Sequence, residues 1–216
     1  MKQSALHILF SISIIVVVLF SGCSETSSVA NIEELNAWMK NAEELTITRS
    51  VNGVEVKVKY ILPIYSAFKD LKRYELSSQK SFDSLLTFYD NNATFIMTLG
   101  PDETTGTTGD IMYKGVKNFK EYVLQAKHLN FDLEKQVSME TNEGNYYPAL
   151  SSLDNTYSLT SNRNINFVFS PTKTKEELKN AKHFQFVYDD EVFELGTLHF
   201  YFDKEKIDSQ TPKVSI

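Results

Sequence analysis

The chain of 216 residues is 42% hydrophobic, 23% charged and 12% aromatic, a balance that fits a folded globular protein and excludes wholesale disorder. Five Pro, eight Gly and a single Cys exclude collagen-like or linker-like character, a disulfide framework and any multi-cysteine metal site. A net charge of −6 argues against a nucleic-acid partner held through phosphate contacts.

The N-terminus reads as an address. Lys2 gives a short basic start, and Ala5 to Phe20 is sixteen residues without a formal charge. The run is shorter than the ~20 residues that a spanning helix needs. It ends at Ser21-Gly22-Cys23, where small residues suit a narrow peptidase pocket. Phe20-Ser21-Gly22-Cys23 resembles the lipobox of bacterial lipoproteins. The family more often has Leu three residues before the Cys; here Phe20 holds that place and Leu19 lies one further back.

The resemblance covers only the leader. It implies that residues 1–22 are a signal peptide cut away before Cys23 and that the Cys23 thiol carries a diacylglycerol. Competing readings are an uncleaved membrane anchor and a plain signal peptide cut elsewhere. The chain's only Cys standing where a lipobox requires it weighs against both. One acyl chain at ~0.8 kcal/mol per CH₂ holds only marginally, whereas two or three make dissociation negligible. Ser24 in place of Asp implies an outer-membrane destination if the cell has two membranes. Cleavage would remove Lys2 and no acid. The acidic body is then mildly repelled by anionic lipid, so the lipid anchor has to hold it.

Residues 23–31 read as the lipidated Cys and a short Ser/Thr-rich tether, and residues 32–216 as one globular domain. Ile32, Leu35, Met39 and Ala42 follow helical spacing, with Trp38 beside that stripe as a core anchor. Asn52-Gly53 predicts a two-residue hairpin turn. Its flanks alternate, with Leu45, Ile47, Val51, Val54, Val56, Val58 and Tyr60 on one face and Arg49 stranded among them. Beyond Pro63, Ile64, Ala67, Phe68, Leu71 and Tyr74 predict a second helix, and residues 82–89 are apolar but ambiguous.

After an Asp90-Asn91-Asn92 turn, residues 93–99 read as a strand and 100–110 as a Gly/Thr-rich loop. Val116, Phe119, Val123, Ala126 and Leu129 mark a third helix. Strands are expected around 164–169, 184–188 and 197–202. Between them, Thr174-x-x-Glu177 resembles a capping box that opens a short helix. The polar tail beyond Asp203 is expected to fray. With helices early, strands late and no βαβ rhythm, the expected class is α+β: an antiparallel sheet with several helices packed against it.

Chemistry is hard to find. There is no nucleophile elbow and no phosphate-binding glycine loop. His128, His183 and His199 lack metal-ligand spacing, so no metal or other cofactor is implied. Asp102, Glu103 and Asp110 fall in the glycine-rich loop, but not at EF-hand spacing. With 28 acidic residues, no carboxylate pair stands out and no catalytic residue is nominated. Tyr146, Tyr147 and Tyr157, set among Asn and Ser, form a candidate binding face, and Asp189-Asp190-Glu191 a polar turn that could serve as an acidic contact.

The favoured expectation is a membrane-anchored envelope lipoprotein that binds or assembles rather than catalyses, with an envelope protein or a glycan as partner. The alternatives are an anchored hydrolase using carboxylates on glycan or peptide, and an inhibitor or immunity-type lipoprotein whose acidic charge steers a basic partner. A cleft holding two close carboxylates, one with a raised pKa, would favour the hydrolase.

Overall fold

A computed structural model describes residues 28–29, 31–154 and 159–214. Residues 1–22, read above as a signal peptide, Cys23 and Tyr157 lie outside these residues.

A two-residue strand, β1 (Ser28–Val29), precedes helix α1 (Ile32–Asn41). The helix starts where the Asn31 side chain accepts a hydrogen bond from the Glu34 N–H at 2.9 Å, and Glu33 and Glu34 meet the positive end of its dipole. Leu35 and Met39 are buried, with Trp38 packed against the core. Asn52 and Gly53 take φ of 51° and 71°, as a type I′ turn demands. Strands β2 (Thr46–Val51) and β3 (Val54–Ile61) therefore pair with Val51 opposite Val54. Because β2 is a sheet edge, Arg49 reaches solvent and donates to the Thr48 carbonyl at 3.2 Å.

Pro63 stands at the start of helix α2 (Pro63–Arg73), where its fixed φ suits the first turn and its missing N–H is no loss. The ambiguous segment is helical. Ser78 caps α3 (Gln79–Asp90) by accepting from the Ser81 N–H, and Phe82 packs on Phe68 with ring centres 5.0 Å apart. Strand β4 (Ala93–Pro101) follows.

Helix α4 (Phe119–Phe131) lies where spacing places it, but its buried side is not the expected stripe. Of that stripe only Leu129 is buried, whereas Phe119 is 79% exposed and Val123 45%. The helix leans on the body one side further round, through Tyr122 and Gln125 together with Ala126 and Leu129 of the expected stripe.

Six more strands complete the sheets: β5 (Val137–Glu140), β6 (Asn145–Tyr146), β7 (Pro148–Leu153), β8 (Arg163–Phe169), β9 (His183–Asp189) and β10 (Thr197–Asp203). The fold is α+β, and its antiparallel strands divide between two sheets, in the orders β2-β3-β4-β8-β7 and β10-β9-β5-β6. The inner faces meet through aromatic rings. Tyr60 lies 5.3 Å from Phe184, Phe95 5.4 Å from both Phe186 and Phe202, and Phe167 5.7 Å from Phe186. Such pairs contribute roughly 0.5–1.5 kcal/mol each beyond their buried area. The chain passes from one sheet to the other at Tyr146-Tyr147-Pro148, where Pro148 opens edge strand β7 without costing a ladder bond.

Two local expectations are corrected. Residues 175–180 form turns, not a helix. The Glu177 carboxylate reaches past Thr174 to accept from the N–H groups of Thr172 and Lys173, the latter at 2.9 Å, so it closes the preceding turn instead of capping a helix. As far as Val214 the polar tail is structured. Asp203 caps a helix, α5 (Lys204–Gln210), by accepting from the Lys206 N–H at 2.9 Å, and Ile207 is buried. Strand β11 (Lys213–Val214) then pairs in parallel with β1, joining the two ends of the described chain.

Candidate functional site

A cleft of about 370 Å³ opens where β3, α2, α3 and α5 converge with the turn at 178–180. Tyr60 and Phe184 form its floor, and Leu62, Ile64, Leu86 and Leu178 its apolar wall. Its size falls within the range of small-ligand sites. The charged groups come from three elements. Asp90 ends α3, Lys179 sits in the turn, and Lys204 and Asp208 stand one helical turn apart on α5.

These charges are not equivalent. The Lys204 ammonium is buried and pairs with Asp208 at 2.5 Å. Asp90 is half-buried at the cleft, and no hydrogen bond among the described residues reaches its carboxylate. Burial raises its pKa above the usual carboxylate value; Lys179 and Lys204 draw it down and Asp208 pushes it up. Lys179 is exposed and has no ion pair among the described residues. Beneath them, burial, then Asp208 and Asp90, push the Tyr60 hydroxyl far above its ordinary pKa, so it stays protonated. The cleft thus combines one close ion pair, Lys204–Asp208, an Asp90 carboxylate and a Lys179 ammonium that attract each other without direct contact, and an apolar wall.

No protein-family model matches the chain, and no curated protein matches it. Among solved structures, a protein of unknown function from Burkholderia pseudomallei is similar, at 10% identity over 85% of this chain and 94% of that one. The TM-score is 0.37, a likeness too weak to carry an argument.

The residues singled out from sequence lie elsewhere. Tyr146 is only 2% exposed, and burial with Glu177 nearby pushes its hydroxyl pKa up. Tyr147, at the sheet-to-sheet corner, is 71% exposed. Asp189 is exposed and accepts from Thr197 Oγ1 at 2.7 Å, and Glu191 is exposed. Asp190 turns inward and accepts from Tyr188 Oη and three backbone N–H groups. Strand β5 separates the Tyr pair from β9, and Tyr146 lies level with Phe186 rather than with the acidic turn. The two patches therefore do not form one face.

The glycine-rich loop is likewise committed to structure. Asp102 accepts from the Thr104 N–H at 3.0 Å, and Asp110 pairs with buried Arg163 at 2.5 Å. Among the described residues, no group of three or more His, Cys, Asp or Glu could hold a metal ion.

No sequence signal announces the cleft. Its charges lie at positions 90, 179, 204 and 208, and Asp90 reads in sequence as one more turn residue.

Proposed function

We propose that this chain is an envelope lipoprotein, anchored through acylated Cys23, whose body is a non-enzymatic binding module with the Asp90 cleft as its ligand site. The anchor half rests on the lipobox resemblance, with Ser24 supporting an outer-membrane destination. Among the described residues no helix is long and apolar enough to cross a membrane. Cys23→Ser should abolish palmitate labelling; label persisting in that variant would overturn the anchor.

The ligand half rests on one observation: among the described residues, no hydrogen bond or close ion pair reaches the half-buried Asp90 carboxylate at the cleft. Asp90 and Lys179 match a compact zwitterion, an α-amino acid or a short peptide, with its ammonium on Asp90, its carboxylate on Lys179 and its side chain on the apolar wall. A neutral glycan would leave both charges unanswered. Charge-assisted hydrogen bonds contribute about 1.5–3 kcal/mol each. At a half-open site, Kd should be roughly 0.1–1 mM.

Calorimetric titration of the full protein with L-leucine and N-acetyl-leucine tests this. L-leucine should bind, N-acetyl-leucine should not, and Asp90→Asn should weaken binding at least about tenfold. The ammonium needs an ionised Asp90. Because that pKa is raised, affinity should already fall as pH drops through values where an ordinary Asp stays charged. No heat with L-leucine, or equal binding by Asp90→Asn, would sink the reading.

A second reading has its own observation. Two electrostatically coupled carboxylates, one with a raised pKa, are the arrangement used in carboxylate hydrolysis. Against it, Asp208 is held by Lys204. Turnover of a peptide or glycan that is lost in Asp90→Asn would promote it.

A further inference from the structure

We infer that the outward face of α4 docks on an anionic lipid bilayer. At about 100° per residue, Phe119, Lys120, Val123, Leu124, Lys127 and Phe131 fall on one side of this helix, opposite buried Leu129. That side is apolar and bare: Phe119 is 79% exposed, Phe131 71% and Leu124 57%. The aromatic surface extends beyond the helix. Tyr122 stacks between exposed Tyr113 and Phe119, with ring centres 5.3 Å and 6.3 Å away and planes tilted by 20° in each pair.

Charge names the occupant. In a chain of net charge −6, Lys117 immediately precedes the helix and Lys120 and Lys127 lie on this side of it. The acid within that stretch, Glu121, is turned to the helix start, where it accepts from the Lys117 N–H at 2.8 Å and from Asn118 Nδ2 at 2.9 Å. Apolar side chains interleaved with lysines that can lay their stems along the surface suit the boundary between acyl chains and anionic headgroups. A protein partner with a matching apolar groove would have no need of this lysine fringe.

The inference rests on the Cys23 anchor, and the chain from Cys23 to Ser28 spans at most roughly 18 Å when extended. That reach keeps Ser28 within roughly 18 Å of the anchor and leaves the body free to turn a face to the headgroups. There the acidic remainder is repelled and the α4 face is attracted, so the same field that opposes the body as a whole would orient it.

The test uses the full acylated chain in vesicles of phosphatidylglycerol and phosphatidylcholine, and of phosphatidylcholine alone. Cys23 is the only native Cys and is blocked by acylation, so a Leu124→Cys variant takes one environment-sensitive dye. Flotation reports the anchor and the dye reports the face. The protein should float with both vesicles, and the dye at position 124 should shift to the blue with the anionic ones. Adding Lys120→Glu and Lys127→Glu should weaken the docking equilibrium by at least about fivefold per lysine while flotation is unchanged.

A floating protein whose dye stays in a water-like environment overturns docking and leaves the anchor standing. Failure to float overturns the anchor and docking together. A blue shift that survives charge reversal, with chemical crosslinking to a dimer, gives the face to a second copy and also overturns the inference.

Discussion

Asp190 holds its turn through its own carboxylate. Tyr188 Oη donates to it at 2.6 Å, and the N–H groups of Val192, Phe193 and Leu195 donate at 3.1, 2.8 and 2.9 Å. Burial, reinforced by the facing carboxylate, raises the Tyr188 hydroxyl pKa and keeps it a donor. Removing the acceptor would strand four donors in a partly buried turn. Asp190→Ala should therefore cost about 3 kcal/mol, whereas Glu191→Ala next to it should stay within about 0.5 kcal/mol. Urea midpoints of the two variants check this; equal small losses would mean that the β9–β10 ladder alone holds the turn. The sequence shows three adjacent acids and predicts a turn. It cannot show which one faces inward, because that depends on where Tyr188 and the returning backbone lie.

At the scale of elements, what was legible is what local geometry encodes. Asn52-Gly53 fixes its hairpin because both positions need positive φ, and alternation in β3, β8 and β10 marks an inner and an outer face. Helix α4 shows where that stops. Its period is plain, but apolar residues occupy both sides, so spacing alone cannot say which side is buried. The choice is made by Ile111, whose carbonyl receives Gln125 Nε2 at 3.2 Å, and by the core that takes Leu129. Composition misleads at α5 in the opposite sense. A polar heptapeptide with one buried Ile reads as a fraying tail, yet an aspartate cap and an i,i+4 ion pair set it as a helix.

At the scale of the whole molecule, the α+β class follows from helices clustered early and strands late. Its division into two sheets does not, because each phenylalanine-rich strand carries the same alternation whichever sheet it joins. The cleft is a product of that division, built where Tyr60 on β3 of one sheet meets Phe184 on β9 of the other, with ring centres 5.3 Å apart. Helix α5 closes it. Ile207, 1% exposed, pins that helix to the body, and Lys204 and Asp208 line the opening from the same helix. Ile207→Ala should cost roughly 2–5 kcal/mol in the core. It should also weaken L-leucine binding, although its side chain is not among those lining the cleft. Leu35→Ala, a truncation of comparable cost in α1, should lower the urea midpoint and leave binding to the folded protein unchanged. Measured together, midpoint and affinity separate loss of global stability from loss of the site. If both variants bind L-leucine as the parent does, α5 is structural only, and ligand recognition, if it resides in this cleft, belongs to Asp90 and Lys179 alone.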